Sequence, residues 1–103
     1  MKLSECAKIL LLGFSYKPNS SDIRNTKVAV VLNELTKQGF HADCFDPLVN
    51  NDEVLDIYDI RLLSAPIDIQ KYDLVVVMVE HDVLASTILA CDKINIIKLR
   101  TIL

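Results

Sequence analysis

Glycine is scarce in this chain. Its 103 residues include two, and just one of them, Gly13, follows an apolar run. That excludes the dinucleotide fingerprint GxGxxG, and the phosphate-cradling pattern ending in GK[ST] is absent as well. Any phosphate site here depends on side chains more than on backbone laid bare by glycine. Cysteine is nearly as sparse. Cys6, Cys44 and Cys91 are odd in number and widely spaced, without a CxxC or Cys/His ligand spacing, so no zinc site is expected. Reduced thiols in a cytoplasmic protein fit that usage, each cysteine acting as a small buried hydrophobe rather than a nucleophile. Long hydrophobic runs are missing too. "LVVVMV" and "ILLL" are far too short to span a bilayer. The opening "MKLSECAKILLLGF" has no small-residue cleavage site and runs straight into a strand-like stretch, unlike a signal peptide. Positive charge is in deficit, at a net −3, so nothing global favours nucleic acid or an anionic membrane.

What is present is branched and aliphatic side chain. The composition is 51% hydrophobic and only 6% aromatic, with much of it Ile, Leu and Val, as in strands buried on both faces. The length predicts one domain over 1–103, enough for one core. "KILLLGF" (8–14) reads as a buried strand meeting a turn at Gly13. Val28, Val31, Leu32 and Leu35 then recur at helical spacing, with Asn25 or Thr26 as the cap and Gly39 at the left-handed exit. "HADCFDP" (41–47) reads as a second strand, stopped by Asp46-Pro47. Strand, loop, helix, strand is a βαβ unit with a parallel sheet. Further on, a short helix is expected in "LVNNDEVLDIYD", a short strand at 60–66, and a strong strand in "DLVVVMVEH" (73–81). A helix capped by Asp82 and a last strand within 93–103 follow. The sum is an α/β, Rossmann-like three-layer sandwich with a mostly parallel sheet of about five strands.

The long polar stretch "GFSYKPNSSDIRNTK" (13–27) stands out, because a βα connection needs only a few residues. It lies where open parallel sheets bind ligands, beyond the carboxyl end of a strand, and it runs into a helix N-terminus that favours anions. Lys17 is a compact charge suited to phosphate and Arg24 a planar fork that can bridge two oxygens. Asp22 can hold either in place, and Tyr16 offers a flat face to a base or sugar. The same residues also suit a solvated loop with a surface ion pair worth ~0–1 kcal/mol. Elsewhere, Asp46 sits where Rossmann halves place a ribose-binding acid, yet it equally makes a structural turn with Pro47. His81 can hydrogen-bond a ligand or cap the turn after its strand. His41 is expected to be exposed, and Glu80 and Asp82 to serve the helix start.

"ILLLGFSYKPNSSDIRNTKV" resembles the opening of the C-terminal domain of the nucleotide-sugar 6-dehydrogenases, which act on UDP-glucose, UDP-N-acetylhexosamines and GDP-mannose. The family pattern of glycine, aromatic, lysine and Asp-x-Arg falls on Gly13, Tyr16, Lys17, Asp22 and Arg24. "CFDP" and "YDLVVVMVEHD" are similar to two later family segments, and "DIRNTKV" to the UDP-N-acetylhexosamine and hexosaminuronate branch of surface-polysaccharide synthesis. The resemblance implies a UDP-sugar-binding domain of an NAD-dependent enzyme that oxidises a sugar C6 alcohol to a carboxylate through a cysteine-linked intermediate. It implies Lys17 near the diphosphate and Tyr16 near the nucleotide sugar. It also implies Arg100 as the arginine of a closing "DGR" segment, although Lys98 and Leu99 replace the Asp and Gly. The NAD-binding and central domains are the implied partners. NAD belongs to them, and this domain is expected to hold no cofactor, no metal and no catalytic residue, so that the chain alone is inactive. The rival expectation is a stand-alone Rossmann-like interaction module without ligand.

Overall fold

The computed structural model describes residues 7–89 and the backbone of 95–98. Four strands form one sheet: β1 (Lys8–Leu12), β2 (His41–Phe45), β3 (Leu74–Val77) and β4 (Asn95–Lys98). The order across the sheet is β2-β1-β3-β4 and all three pairings are parallel. Helices α1 (Val28–Lys37), α2 (Asn51–Tyr58) and α3 (Ala85–Leu89) accompany it, with single 3-10 turns at Ile69–Lys71 and Asp82–Leu84.

The pleat explains the layers. Alternate residues of a strand face opposite sides. Ile9 and Leu11 of β1 join Val28, Ala29 and Leu32 of α1 and Val54 of α2 in one buried cluster. Leu10 and Leu12 join Phe45, Tyr72, Val75, Val77 and Leu84 in the other, with Ile88 of α3 packed against it. Apolar cover on both faces is why these strands are uninterrupted aliphatic runs, and the reading of an α/β domain with a parallel sheet holds.

Local signals set the element ends. Gly39 has φ +94° after the Gln38 cap, and its N–H donates to the Thr36 carbonyl while the Phe40 N–H donates to Leu35. That is a Schellman exit, with Phe40 and Leu35 packed on the same cluster. The Asn50 side chain accepts from the Asp52 and Glu53 N–H groups and starts α2. Thr26 acts at α1 as expected in kind, its hydroxyl accepting from the Val28 N–H at 3.2 Å, although Lys27 is the cap residue.

Two expectations are corrected. The sheet has four strands among the described residues, not about five, because 60–66 forms no ladder. Leu63 donates its N–H to Cys44 on the outer edge of β2, at 2.9 Å, but its carbonyl is taken by the Asn51 side chain. Pro66 then has no N–H to continue the pairing. Asp82 does not cap the next helix with its side chain: His81 is the cap residue, without a side-chain bond to the turn. The expected role of His41 as an exposed strand start holds. Cys6, Cys91 and Arg100 lie outside the described residues. No helix among the described residues is long and apolar enough to cross a membrane.

Candidate functional site

The strand order places a change of direction at β1. From β1 the chain crosses to β2 on one side, then passes back to β3 on the other. In doubly wound sheets the crevice for ligands opens at such a point, at the carboxyl ends of the strands. Two segments meet here, the loop 13–27 after β1 and the turn 78–84 after β3.

Gly13 opens the loop with φ +95°, and the turn after β3 presses directly on it. A Cβ built there would lie 2.5 Å from the Val79 carbonyl oxygen and 2.7 Å from its Cβ. The loop is then pinned from beneath. The Phe14 ring meets Tyr58 edge-on at 5.5 Å, and the Tyr58 hydroxyl donates to the Ile23 carbonyl at 2.6 Å. Ile23 is buried, and Thr26 donates to the Phe14 carbonyl. Tyr16 donates its N–H to the Asp22 carbonyl at 2.8 Å, closing the loop on itself.

Beneath it lies a fully buried polar cluster that the sequence did not assign to the site. Asp46 Oδ2 accepts from the Phe14 N–H (2.7 Å) and the Ser15 N–H (3.0 Å), and Oδ1 from the Leu48 N–H (2.9 Å). His81 Nε2 lies 2.8 Å from the same Oδ2 and 3.3 Å from Ser15 Oγ. His81 Nδ1 accepts from the Asn19 N–H at 2.8 Å. A backbone N–H can only donate, so Nδ1 is the bare nitrogen and Nε2 carries the hydrogen toward Asp46. Asp46 is therefore a structural residue at the end of β2, not an open acid for a ribose. His81 is neither an exposed ligand group nor a side-chain cap. The signal for both was legible only as the phrases "CFDP" and "EHD", far apart in sequence.

Above these anchors the expected binding side chains stand clear. Tyr16 is 52% exposed, and Lys17 is exposed with no ion pair among the described residues. Arg24 and Asp22 form the fork anticipated from the sequence. Nε donates to Oδ1 and the terminal nitrogen to Oδ2, both at 3.0 Å, and the Arg24 N–H adds a 2.9 Å bond. The Arg24 side-chain bond, then its N–H, with weaker pulls from the Arg24 and Lys17 charges, lowers the Asp22 carboxyl from 3.8 to about 2. The guanidinium is raised in turn by that bond. The first turn of α1 carries no acidic residue. Its leading N–H groups lack intrahelical partners by helix geometry, which suits an anion. A concavity of about 560 Å³ borders Asn25, Thr26, Lys27, Val30 and Val31 where loop joins helix. A second, of about 350 Å³, lies at the opposite end of the strands around Lys8, His41 and Tyr72, away from the loop. Cys44 faces the Gly13 carbonyl at 3.8 Å, and burial pushes its thiol up, so it is an inert hydrophobe as expected. Among the described residues no cluster of His, Cys, Asp and Glu is placed to hold a metal.

A parallel α/β sheet with a pinned, cationic loop over its switch point is an architecture that binds ligands at the carboxyl ends of its strands. The chain belongs to the UDP-glucose/GDP-mannose dehydrogenase family, whose UDP-binding domain matches residues 10–101. It is 40% identical over 77 residues to a UDP-N-acetyl-D-glucosamine 6-dehydrogenase of Salmonella typhi, covering 75% of this chain and 18% of that protein. A protein of the same name from Pseudomonas aeruginosa is 35% identical over 75 residues, 73% of this chain and 18% of the relative. A UDP-N-acetyl-D-mannosamine dehydrogenase of Methanocaldococcus jannaschii is 27% identical over 78 residues, 76% and 17%. The chain thus spans less than a fifth of the length of these relatives.

Proposed function

We propose that this chain is a single domain holding the nucleotide end of a UDP-sugar for a larger NAD-dependent 6-dehydrogenase. The observation that carries the reading is the loop over the switch point, anchored below and presenting an exposed Lys17, without an ion pair among the described residues, beside Tyr16 and the Asp22–Arg24 fork. Lys17 faces the diphosphate, Tyr16 packs against the uridine or sugar, and Arg24, held by Asp22, shapes the rim. Arg100 completes the substrate contacts from the C-terminal segment. The parent enzyme oxidises the sugar C6 alcohol to a carboxylate, in the cytoplasm, for surface-polysaccharide synthesis. NAD and the hydride-transfer steps belong to its other domains. The names of the relatives support a UDP-N-acetylhexosamine as the sugar.

The test is a titration of the chain with UDP, followed by amide NMR. Resonances of Tyr16, Lys17 and Arg24 shift with UDP and stay put with NAD. Lys17→Ala lowers UDP affinity by about tenfold or more, the worth of one charge-assisted bond to phosphate, and leaves the melting midpoint near the parent value. Equal affinity in the two proteins would remove Lys17 from the site and favour the ligand-free interaction module.

A further inference from the structure

The buried His81 does more than fill space, because it grips the loop on either side of Lys17. Its Nδ1 takes the Asn19 N–H at 2.8 Å, two residues beyond Lys17. Its Nε2 approaches Ser15 Oγ at 3.3 Å, and that hydroxyl donates to the Lys17 carbonyl at 2.9 Å. The hydrogens run in one direction. Nε2–H points to Asp46 and Ser15, the Ser15 hydroxyl points to Lys17, and the Asn19 N–H points back to Nδ1. Asn19 closes the circuit, since its Oδ1 accepts the Asp82 N–H at 2.8 Å, tying the loop to the residue after His81. Asn19 has φ +60°, a left-handed conformation that asparagine tolerates better than most residues and that this pair of bonds holds in place. Asp46, accepting from Phe14 and Ser15, fixes the other flank. The Lys17 backbone is thus clamped by groups from three separate chain segments while its side chain is exposed.

We propose that His81, oriented by Asp46, is a positioning residue that sets where Lys17 stands over the sheet, and so governs the affinity of the loop for a nucleoside diphosphate. The ligand part rests on the function proposed above; the clamp itself does not.

Two substitutions separate the halves of the imidazole. His81→Gln keeps a donor toward Asp46 and removes the acceptor for Asn19. His81→Asn keeps an acceptor at the Nδ1 position and removes the group facing Asp46. Amide hydrogen exchange of the unliganded chain reads the clamp, and UDP titration reads its consequence. In His81→Gln the Asn19 amide exchanges about tenfold faster and UDP affinity falls about tenfold, the loss of one part-buried bond. In His81→Asn the Asn19 exchange stays near the parent and UDP affinity falls less than in His81→Gln, although its melting midpoint is as low as that of the Gln variant or lower. Affinity then follows the Asn19 bond and not stability. Parent-like Asn19 exchange in His81→Gln overturns the clamp. Faster Asn19 exchange with unchanged UDP affinity, in a background where Lys17→Ala does weaken UDP, overturns the positioning role alone. If Lys17→Ala changes nothing, it is the UDP reading that falls, and the exchange result still decides the clamp. Should neither histidine variant fold, Ser15→Ala decides. It removes the hydroxyl that links His81 Nε2 to the Lys17 carbonyl: a loss of about fivefold in UDP affinity supports positioning and an unchanged affinity overturns it.

Discussion

Single residues in the loop divide into those that hold and those that present. Asp22 and Arg24 were legible as a pair because their i, i+2 spacing across a loop lets a carboxylate take both the backbone N–H and the guanidinium of one residue, as it does. The consequence is testable by pH. The folded Asp22 carboxyl sits at about 2 against an ordinary 3.8. A lowered group contributes stability that is present above its unfolded value and is lost as pH falls through the folded one. The fork therefore persists down to about pH 2, and its contribution to folding is small because both groups meet water. A carboxyl-carbon NMR titration gives a midpoint near that value, and Arg24→Gln returns it toward 3.8. A parent midpoint already near 3.8 would mean that the fork is not formed in solution.

Elements make the same lesson sharper, since two glycines with nearly the same φ have unlike neighbours. Gly39 has φ +94° with nothing within 4 Å of a built Cβ, whereas Gly13 has φ +95° and the Val79 backbone at 2.5 Å. Gly39→Ala costs only the left-handed strain, about 1–2 kcal/mol. Gly13→Ala adds a collision with the backbone of β3's exit, and about 3 kcal/mol or more is expected in total. Urea midpoints of the two variants check the ranking, and equal losses would contradict the close approach. Sequence pattern could find Gly39, because a helical run ending in Gly is a local signal. It could not find the Gly13 contact, which joins positions 66 residues apart. For the same reason the segment 60–66 read as a strand. Ile60, Leu62 and Leu63 supply the apolar side chains of one, and the tertiary diversion of the Leu63 carbonyl to Asn51, with Pro66 lacking an N–H, denies it a ladder.

At the scale of the molecule, the fold class was legible because aliphatic runs and turn residues alternate plainly along the chain. The exposed half of the candidate site was legible because charge stands out in a loop. The buried half was not, since Asp46 and His81 each looked locally like a turn residue and their meaning lies in where the sheet brings them. The carboxyl ends of β1, β2 and β3 converge there, so Asp46 ties the loop, the end of β2 and the exit of β3 together through four hydrogen bonds. Replacing it with alanine leaves two buried N–H groups and the imidazole N–H without their acceptor. At 1–3 kcal/mol for each unsatisfied group, reduced by local relaxation, a loss of about 3–5 kcal/mol is expected. That is a large part of the 5–15 kcal/mol a domain of this size commands. Asparagine distinguishes acceptor from volume. Turned so that its oxygen takes the place of Oδ2, it still receives Phe14, Ser15 and His81, and only the Leu48 N–H meets a donor. Asp46→Asn is therefore expected to cost about 1–2 kcal/mol, well short of the alanine value. Denaturant unfolding of both variants measures the difference. If asparagine proves as damaging as alanine, the carboxylate's charge and not its ring of accepted hydrogens is what holds the three strand ends together.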